Sequence, residues 1–284
     1  MRLLRLLPLA AVLAASTASA QVCTPGKDQR EAKMLAFFAA PLAFSPSGVA
    51  TPLAAGEVRL GFDVTYVPNP SADIRRPEKC YNNNKTENTQ LSPVFPRPRV
   101  AVGLGGGLGL EASYLPPVTV MDATPNLLSL ALSWGRPLTA GTSLLLRAHT
   151  TVGQVQGPIV CAPDVIQTGN PTGNCYATEP SDDTYKPGIF GVEGALAFGR
   201  ASRVQGYVGL GATTLRPRFQ VGYTDAANNV DTTRVEVDLS RVAAFAGAAW
   251  KVNARVWLTG ELYSVPTDVT TIRLGGSYRL RAGR

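Results

Sequence analysis

The sequence predicts an all-β chain, an antiparallel up-and-down transmembrane β-barrel of about ten strands. Three observations carry this. Apolar residues recur at every second position over most of the chain beyond residue 56. The faces between them carry arginines and carboxylates, while the lysines (Lys27, Lys33, Lys79, Lys85, Lys186 and Lys251) fall in connections. Beyond residue 20, no uninterrupted apolar run approaches the ~18 residues a spanning helix needs. A chain that crosses a bilayer without such a helix must do so as closed strands, because only they satisfy every backbone group in hydrocarbon.

Each strand follows from that alternation. Residues 56–67 set Val58, Leu60, Phe62, Val64 and Tyr66 against Glu57, Arg59, Gly61, Asp63 and Thr65. A charge on the lipid face costs about 2–4 kcal/mol at mid-bilayer, so the charged side must face a lumen. Residues 97–115 read as a hairpin. Val100, Val102, Leu104, Leu108, Leu110, Ala112 and Tyr114 oppose Arg99, Gly103, Gly109, Glu111 and Ser113 across a turn at Gly105–Gly107. Leu128, Leu130, Leu132 and Trp134 mark strand 127–135, and Leu144, Leu146, Ala148 and Val152 oppose Arg147, His149 and Thr151 in 142–153. Strands 188–199 and 203–214 turn Phe190, Val192, Leu196, Phe198, Val204, Val208 and Leu210 outward and Glu193, Gln205, Tyr207 and Thr213 inward. In 234–250 the pattern puts Val235, Val237 and Leu239 outward and Arg234, Glu236 and Asp238 inward, with the phase lost near Arg241. Residues 254–264 expose Val256, Leu258 and Leu262 against Arg255, Thr259 and Glu261. The last strand, 269–281, sets Ile272, Leu274, Tyr278 and Leu280 against Arg273 and Arg279. Connections alternate long and short, so long loops gather at one end of the barrel.

The N-terminus reads differently. Arg2 and Arg5 precede an apolar run, Leu6 to Ala15, and Ala18-Ser19-Ala20 fits a cleavage site, so residues 1–20 are expected to be a signal peptide. Lipidation at Cys23 is disfavoured by Gln21-Val22 before it. Residues 21–55 form a segment in which Gln29 to Ala40 can be helical, with Met34, Phe37 and Phe38 on one side and Pro41 ending it; residues 56–284 form the barrel. Removing Arg2 and Arg5 from 27 basic residues leaves 25 against 20 acidic, a net +5 that calls for no nucleic acid.

Four cysteines in an exported chain suggest disulfides, with three connectivities. Cys161 and Cys175 share one loop and form the expected pair. Pairing of Cys23 with Cys80 would put the mature N-terminus at the outer rim and send residues 24–55 down through the barrel. A tail outside the barrel with free cysteines is the alternative left open.

No cofactor or metal site is expected. His149 is the only histidine, and Ser143 lies six extended residues, roughly 20 Å, away. Asp182 and Asp183 supply too few oxygens for a hard cation. Gly107, Gly109 and Ala112 fit a dinucleotide fingerprint in spacing alone, because Pro116 and Pro117 forbid the helix it needs. The inward constellation is Glu57, Arg59, Asp63, Arg99, Glu111, Arg147, His149, Glu193, Glu236, Asp238, Arg255, Glu261, Arg273 and Arg279. It is either a solute-selecting lining or, in a narrow barrel, a lattice of ion pairs, and the lattice is the favoured reading.

In its export signal, amphipathic strands, loop asymmetry and aromatics near strand ends (Tyr66, Tyr114, Trp134, Phe198, Tyr278), the chain resembles small bacterial outer-membrane β-barrel proteins. The resemblance implies outer-membrane lipid and the barrel-assembly machinery as partners. Such barrels often end in an aromatic residue, whereas this chain ends Arg281-Ala282-Gly283-Arg284, leaving Tyr278 to serve internally. The function expected is non-enzymatic: a narrow or gated channel for small solutes or apolar molecules, gated by residues 21–55. The alternatives are a closed barrel presenting loops for binding or adhesion, and a lipid-acting enzyme using His149.

Overall fold

The computed structural model describes residues 21–46, 51–75, 78–80, 94–120, 122–199 and 202–283; the expected signal peptide lies outside them. Ten strands close on themselves: β1 (Val58–Tyr66), β2 (Val94–Gly105), β3 (Leu108–Leu115), β4 (Thr124–Pro137), β5 (Thr142–Gly157), β6 (Ile189–Phe198), β7 (Val204–Leu215), β8 (Leu239–Lys251), β9 (Val256–Val265) and β10 (Val269–Arg281). All neighbours are antiparallel, and β10 returns to β1 from Ile272–Tyr66 to Arg281–Val58, so the barrel has no edge. At one end β2 turns into β3 through Gly105, Gly106 and Gly107, with φ of 96°, 62° and 83°. Only glycine adopts such angles freely, which is why three occur there. The other connections at this end are also short, whereas those at the opposite end are long, except for the three residues between β9 and β10. That short link departs from the expected strict alternation.

The outer wall is apolar where the periodicity placed it. Leu60, Phe62, Leu110, Leu132, Leu146, Val208, Leu210, Leu262 and Leu274 all face out and are exposed. A continuous belt of this kind is far larger than soluble monomers expose, and fits lipid contact. Tyr66, Tyr114 and Phe190 ring the loop end of the belt, and Phe198, Trp250 and Tyr278 the turn end.

Beyond the loop-end ring the polarity reverses, and one sequence expectation is corrected. Val235, Val237 and Leu239 are buried, at 7%, 6% and 3% exposure, rather than lipid-facing. Arg234–Glu236 is a separate short strand, and β8 begins only at Leu239. Alternation reveals two faces but not which solvent each meets. Outside the bilayer the outer surface is wet, so the apolar face turns inward. Asp183–Lys186 extends β5, Arg218–Gln220 adds to it, then Arg234–Glu236, and finally Val22–Cys23 in parallel. This small sheet leans over the barrel mouth. Asp183 ties the loops behind it, accepting hydrogen bonds from Ile159 N, Val160 N, Gly222 N and Ser181 Oγ at 2.6–2.9 Å.

The N-terminal segment lies inside the barrel. Helix α1 (Arg30–Ala39) continues as a 3-10 turn, Ala40–Leu42, with Pro41 in it. The helix buries Ala32, Met34, Leu35, Ala36, Phe37 and Ala39, nearly its whole circumference, as an element enclosed by a wall must.

Candidate functional site

The disulfides join Cys23 to Cys80 and Cys161 to Cys175. The first fixes the start of the segment at the loop end. Glu31 adds a second tie there, accepting the backbone N–H groups of Glu78, Lys79 and Cys80 at 2.7, 2.5 and 3.0 Å. Burial pushes the Glu31 carboxyl up, but these donors outweigh it and hold it below the ordinary carboxylate range. Tyr185 OH donates to Leu35 O at 2.8 Å from the overhanging sheet.

Below the helix the chain passes through the 3-10 turn into irregular backbone, where Ser45 N donates to Ala43 O at 3.0 Å. Arginines of the barrel wall bind the carbonyls of this stretch. Arg273 Nη2 donates to Pro41 O at 3.1 Å, and Arg97 reaches Leu42 O and Ala43 O, both at 3.1 Å. Arg147 donates to Phe44 O, and Arg99 to Ser45 O at 2.8 Å. Thr151 Oγ1 adds a bond to Leu42 O. Five consecutive carbonyls are thus bound by four guanidinium groups. The Phe44 ring lies under Arg97, Arg99 and Arg147, with centroid distances of 5.5, 4.3 and 4.9 Å.

Carboxylates balance the arginines. Arg99 pairs with Asp63 and, at 3.5 Å, with Glu111; Arg147 lies 3.3 Å from both Glu111 and Glu193. Glu261 receives Ser45 Oγ at 2.5 Å and Tyr207 OH at 2.9 Å, and lies 3.4 Å from Arg273. At the turn end Glu57 joins Arg59 at 2.6 Å and Arg279 at 3.1 Å, and binds Ala54 N. The segment reaches this end too. A Cβ on Gly103 would fall 2.0 Å from Ala54 O, so that inward position must be glycine for Ala54 to pass.

Of the residues expected to line the lumen, Glu57, Arg59, Asp63, Arg99, Glu111, Arg147, His149, Glu193, Glu261, Arg273 and Arg279 face inward. Three do not. Glu236 and Asp238 sit on the overhanging sheet and beside it, bound to Arg218, with the Asp238 side chain 66% exposed. Arg255 is exposed in the turn before β9. His149 is 2% exposed, with Nε2 3.2 Å from Glu193 Oε1 in the same lattice. Arg97, Phe44 and Ser45 went unnoticed in the sequence. Arg97 stands in phase with Arg99 on β2, so the alternation carried a signal for it.

Between the helix and the wall lies an apolar cavity of about 320 Å³. The segment contributes Met34, Leu35, Phe37, Phe38, Pro41 and Leu42. The barrel contributes Phe95, Leu115, Leu127 and Val155, and the overhanging sheet Tyr185, Phe219 and Val235. Its size and lining are those of small-ligand sites.

No family model and no curated protein matches the chain. Among solved structures, Ail, the attachment invasion locus protein of Yersinia pestis, matches at 11% identity and TM-score 0.34, covering 80% of this chain and 99% of that one. The KdgM porin matches at 10% identity and TM-score 0.33, covering 78% and 99%. The Ralstonia pickettii toluene transporter TbuX matches at 11% identity and TM-score 0.33, covering 93% and 95%. These are outer-membrane barrels, as the class resemblance implies, and the likenesses are too distant to transfer a ligand or activity.

Proposed function

We propose that this chain is a bacterial outer-membrane barrel that takes small apolar molecules from outside, with the N-terminal segment as the plug that gates their passage. The cavity beside the helix carries the reading. An apolar chamber at the loop end, flanked by plug and wall, is suited to uncharged aliphatic or aromatic compounds and ill suited to ions. The arginine and carboxylate lattice below it is engaged in holding the plug. Passage then requires the part of the plug below the helix to shift within its cage. The reading is non-enzymatic, with His149 a member of the lattice.

Equilibrium binding of N-phenyl-1-naphthylamine to the purified barrel in detergent tests this. One probe per chain is expected, with affinity falling at least tenfold in Phe38→Glu, which puts a carboxylate into the chamber. Binding unaffected by Phe38→Glu would contradict the reading.

The alternative, a closed barrel displaying loops to a partner, has one observation in its favour. The loop between β5 and β6 is stapled by Cys161–Cys175 and packs Val160, Cys161, Cys175 and Ala177 against Val221 and Tyr223 of the β7–β8 connection in a small core apart from the barrel.

A further inference from the structure

The barrel wall has a weak seam beside the cavity. β1 pairs with β2 along its whole length, from Val58–Val102 to Tyr66–Val94. The pairing of β2 with β3 starts at Gly105–Leu108 and ends at Val100–Ala112. Continued two and four residues further, that register would set Pro98 opposite Tyr114 and Pro96 opposite Pro116.

The prolines are placed at the one edge where they do no harm. Gly103 exchanges backbone hydrogen bonds with the β1 side, through Gly103 N to Glu57 O and Gly56 N to Gly103 O. Backbone groups alternate in direction along an antiparallel strand, so even-numbered residues of β2 aim theirs at β3. Pro96 and Pro98 are even-numbered and have no N–H to give. Pro116, just beyond the end of the facing strand, repeats the omission. β2 therefore has no N–H to send across at either position.

The cavity meets this seam. Phe95, Leu115 and Leu127 line it from inside the barrel, whereas Val94, Pro96 and Val118 line it while exposed on the outside. A cavity that touches both faces of β2 passes that strand's edge. The level is that of the membrane boundary, because Val94 pairs with Tyr66 of the loop-end aromatic ring and Tyr114 of the same ring stands on the opposite side of the seam.

We propose that the seam between Pro96–Pro98 of β2 and Tyr114–Pro116, at and just beyond the end of β3, is a lateral portal, through which uncharged apolar molecules dissolved in the outer leaflet exchange with the cavity. This deepens the reading of the cavity as a binding site and rests on it. The lumen is occupied along its axis by the plug, so the wall offers the path that leaves the plug in place. The ligands such a portal selects are those that partition into lipid before they reach the protein.

Two variants seal the seam. In Pro98→Cys/Tyr114→Cys an oxidised bridge clamps it, verified by peptide mass mapping. In Pro98→Val the restored N–H group, outside the cavity lining, extends the ladder toward β3 without redox chemistry. The full chain is reconstituted in phosphatidylcholine vesicles preloaded with N-phenyl-1-naphthylamine, and both equilibrium binding and the rate of entry from the membrane are read. Entry is expected to slow at least tenfold in both sealed variants at unchanged equilibrium affinity. Reductant should restore the rate of the cysteine pair and leave the native protein's rate unaltered. Native-like entry rates in sealed variants that still bind the probe would overturn the portal and leave the binding site standing. Failure of the native protein to bind the probe would overturn both.

Discussion

Arg273 ties the plug to the wall at two points. It is 1% exposed, donates to Pro41 O and Ser45 Oγ, and faces Glu261 at 3.4 Å. Replacing it with methionine keeps much of the volume but leaves the Glu261 carboxylate and the Pro41 carbonyl without their cation. Removing one partner of a buried ion pair costs about 3–5 kcal/mol. Because the barrel ladders remain, the loss is expected as local release: amide hydrogen exchange over residues 42–45 accelerates while that of β9 and β10 does not. Glu31 supplies the pH dependence. Its folded carboxyl is depressed, so its contribution is present above the ordinary carboxylate value of 4.5 and is lost as pH falls through the lower folded value. Protection factors at residues 78–80, which remove the intrinsic pH dependence of exchange, should therefore fall on acidification from pH 5 to about pH 3. In Glu31→Gln those protection factors should be lower at neutral pH and flat with pH. A native-like acid response in Glu31→Gln would remove Glu31 from the latch.

In the proposed function the N-terminal segment is the element that decides whether the barrel conducts. Its helix follows from Arg30–Ala39 lacking glycine, proline and β-branched residues, and its end from Pro41, which cannot continue an α-helix. Planar-bilayer recordings should show a quiet barrel with the intact chain and stepwise conductance in a chain lacking residues 21–55, in which the arginines face water. Silence in the shortened chain, confirmed as folded by its heat-dependent gel shift, would contradict a plug. Much of this was legible in the sequence: the strands through their period of two, the helix through its stop. The cavity was not, because Phe38, Phe95 and Val235 are far apart in the chain and only the closed topology brings them together. The seam was written in Pro96, Pro98 and Pro116, but proline reads as a break until the neighbouring strand's register is known.

For the whole molecule, one physical contrast organises the structure. In the bilayer, apolar side chains face out and the ionic ones meet inside; beyond the loop-end aromatic ring, apolar residues such as Ile189, Leu215, Val235 and Val265 turn inward. A period of two carries the amplitude of that contrast but not its sign, so alternation alone points Glu236 and Asp238 into the lumen, whereas both bind Arg218 outside it. The cavity lies where the two regimes meet, and there the wall has both an apolar interior and a lipid-facing exterior. The most direct measurement is photolabelling of the full barrel in vesicles with an uncharged diazirine-bearing hydrocarbon, followed by peptide mapping. The account predicts saturable labels on residues 34–42, 94–96 and 115–118, competed by N-phenyl-1-naphthylamine, above an uncompeted background on the outer belt. Labels confined to that belt, with none on residues 34–42, would contradict it.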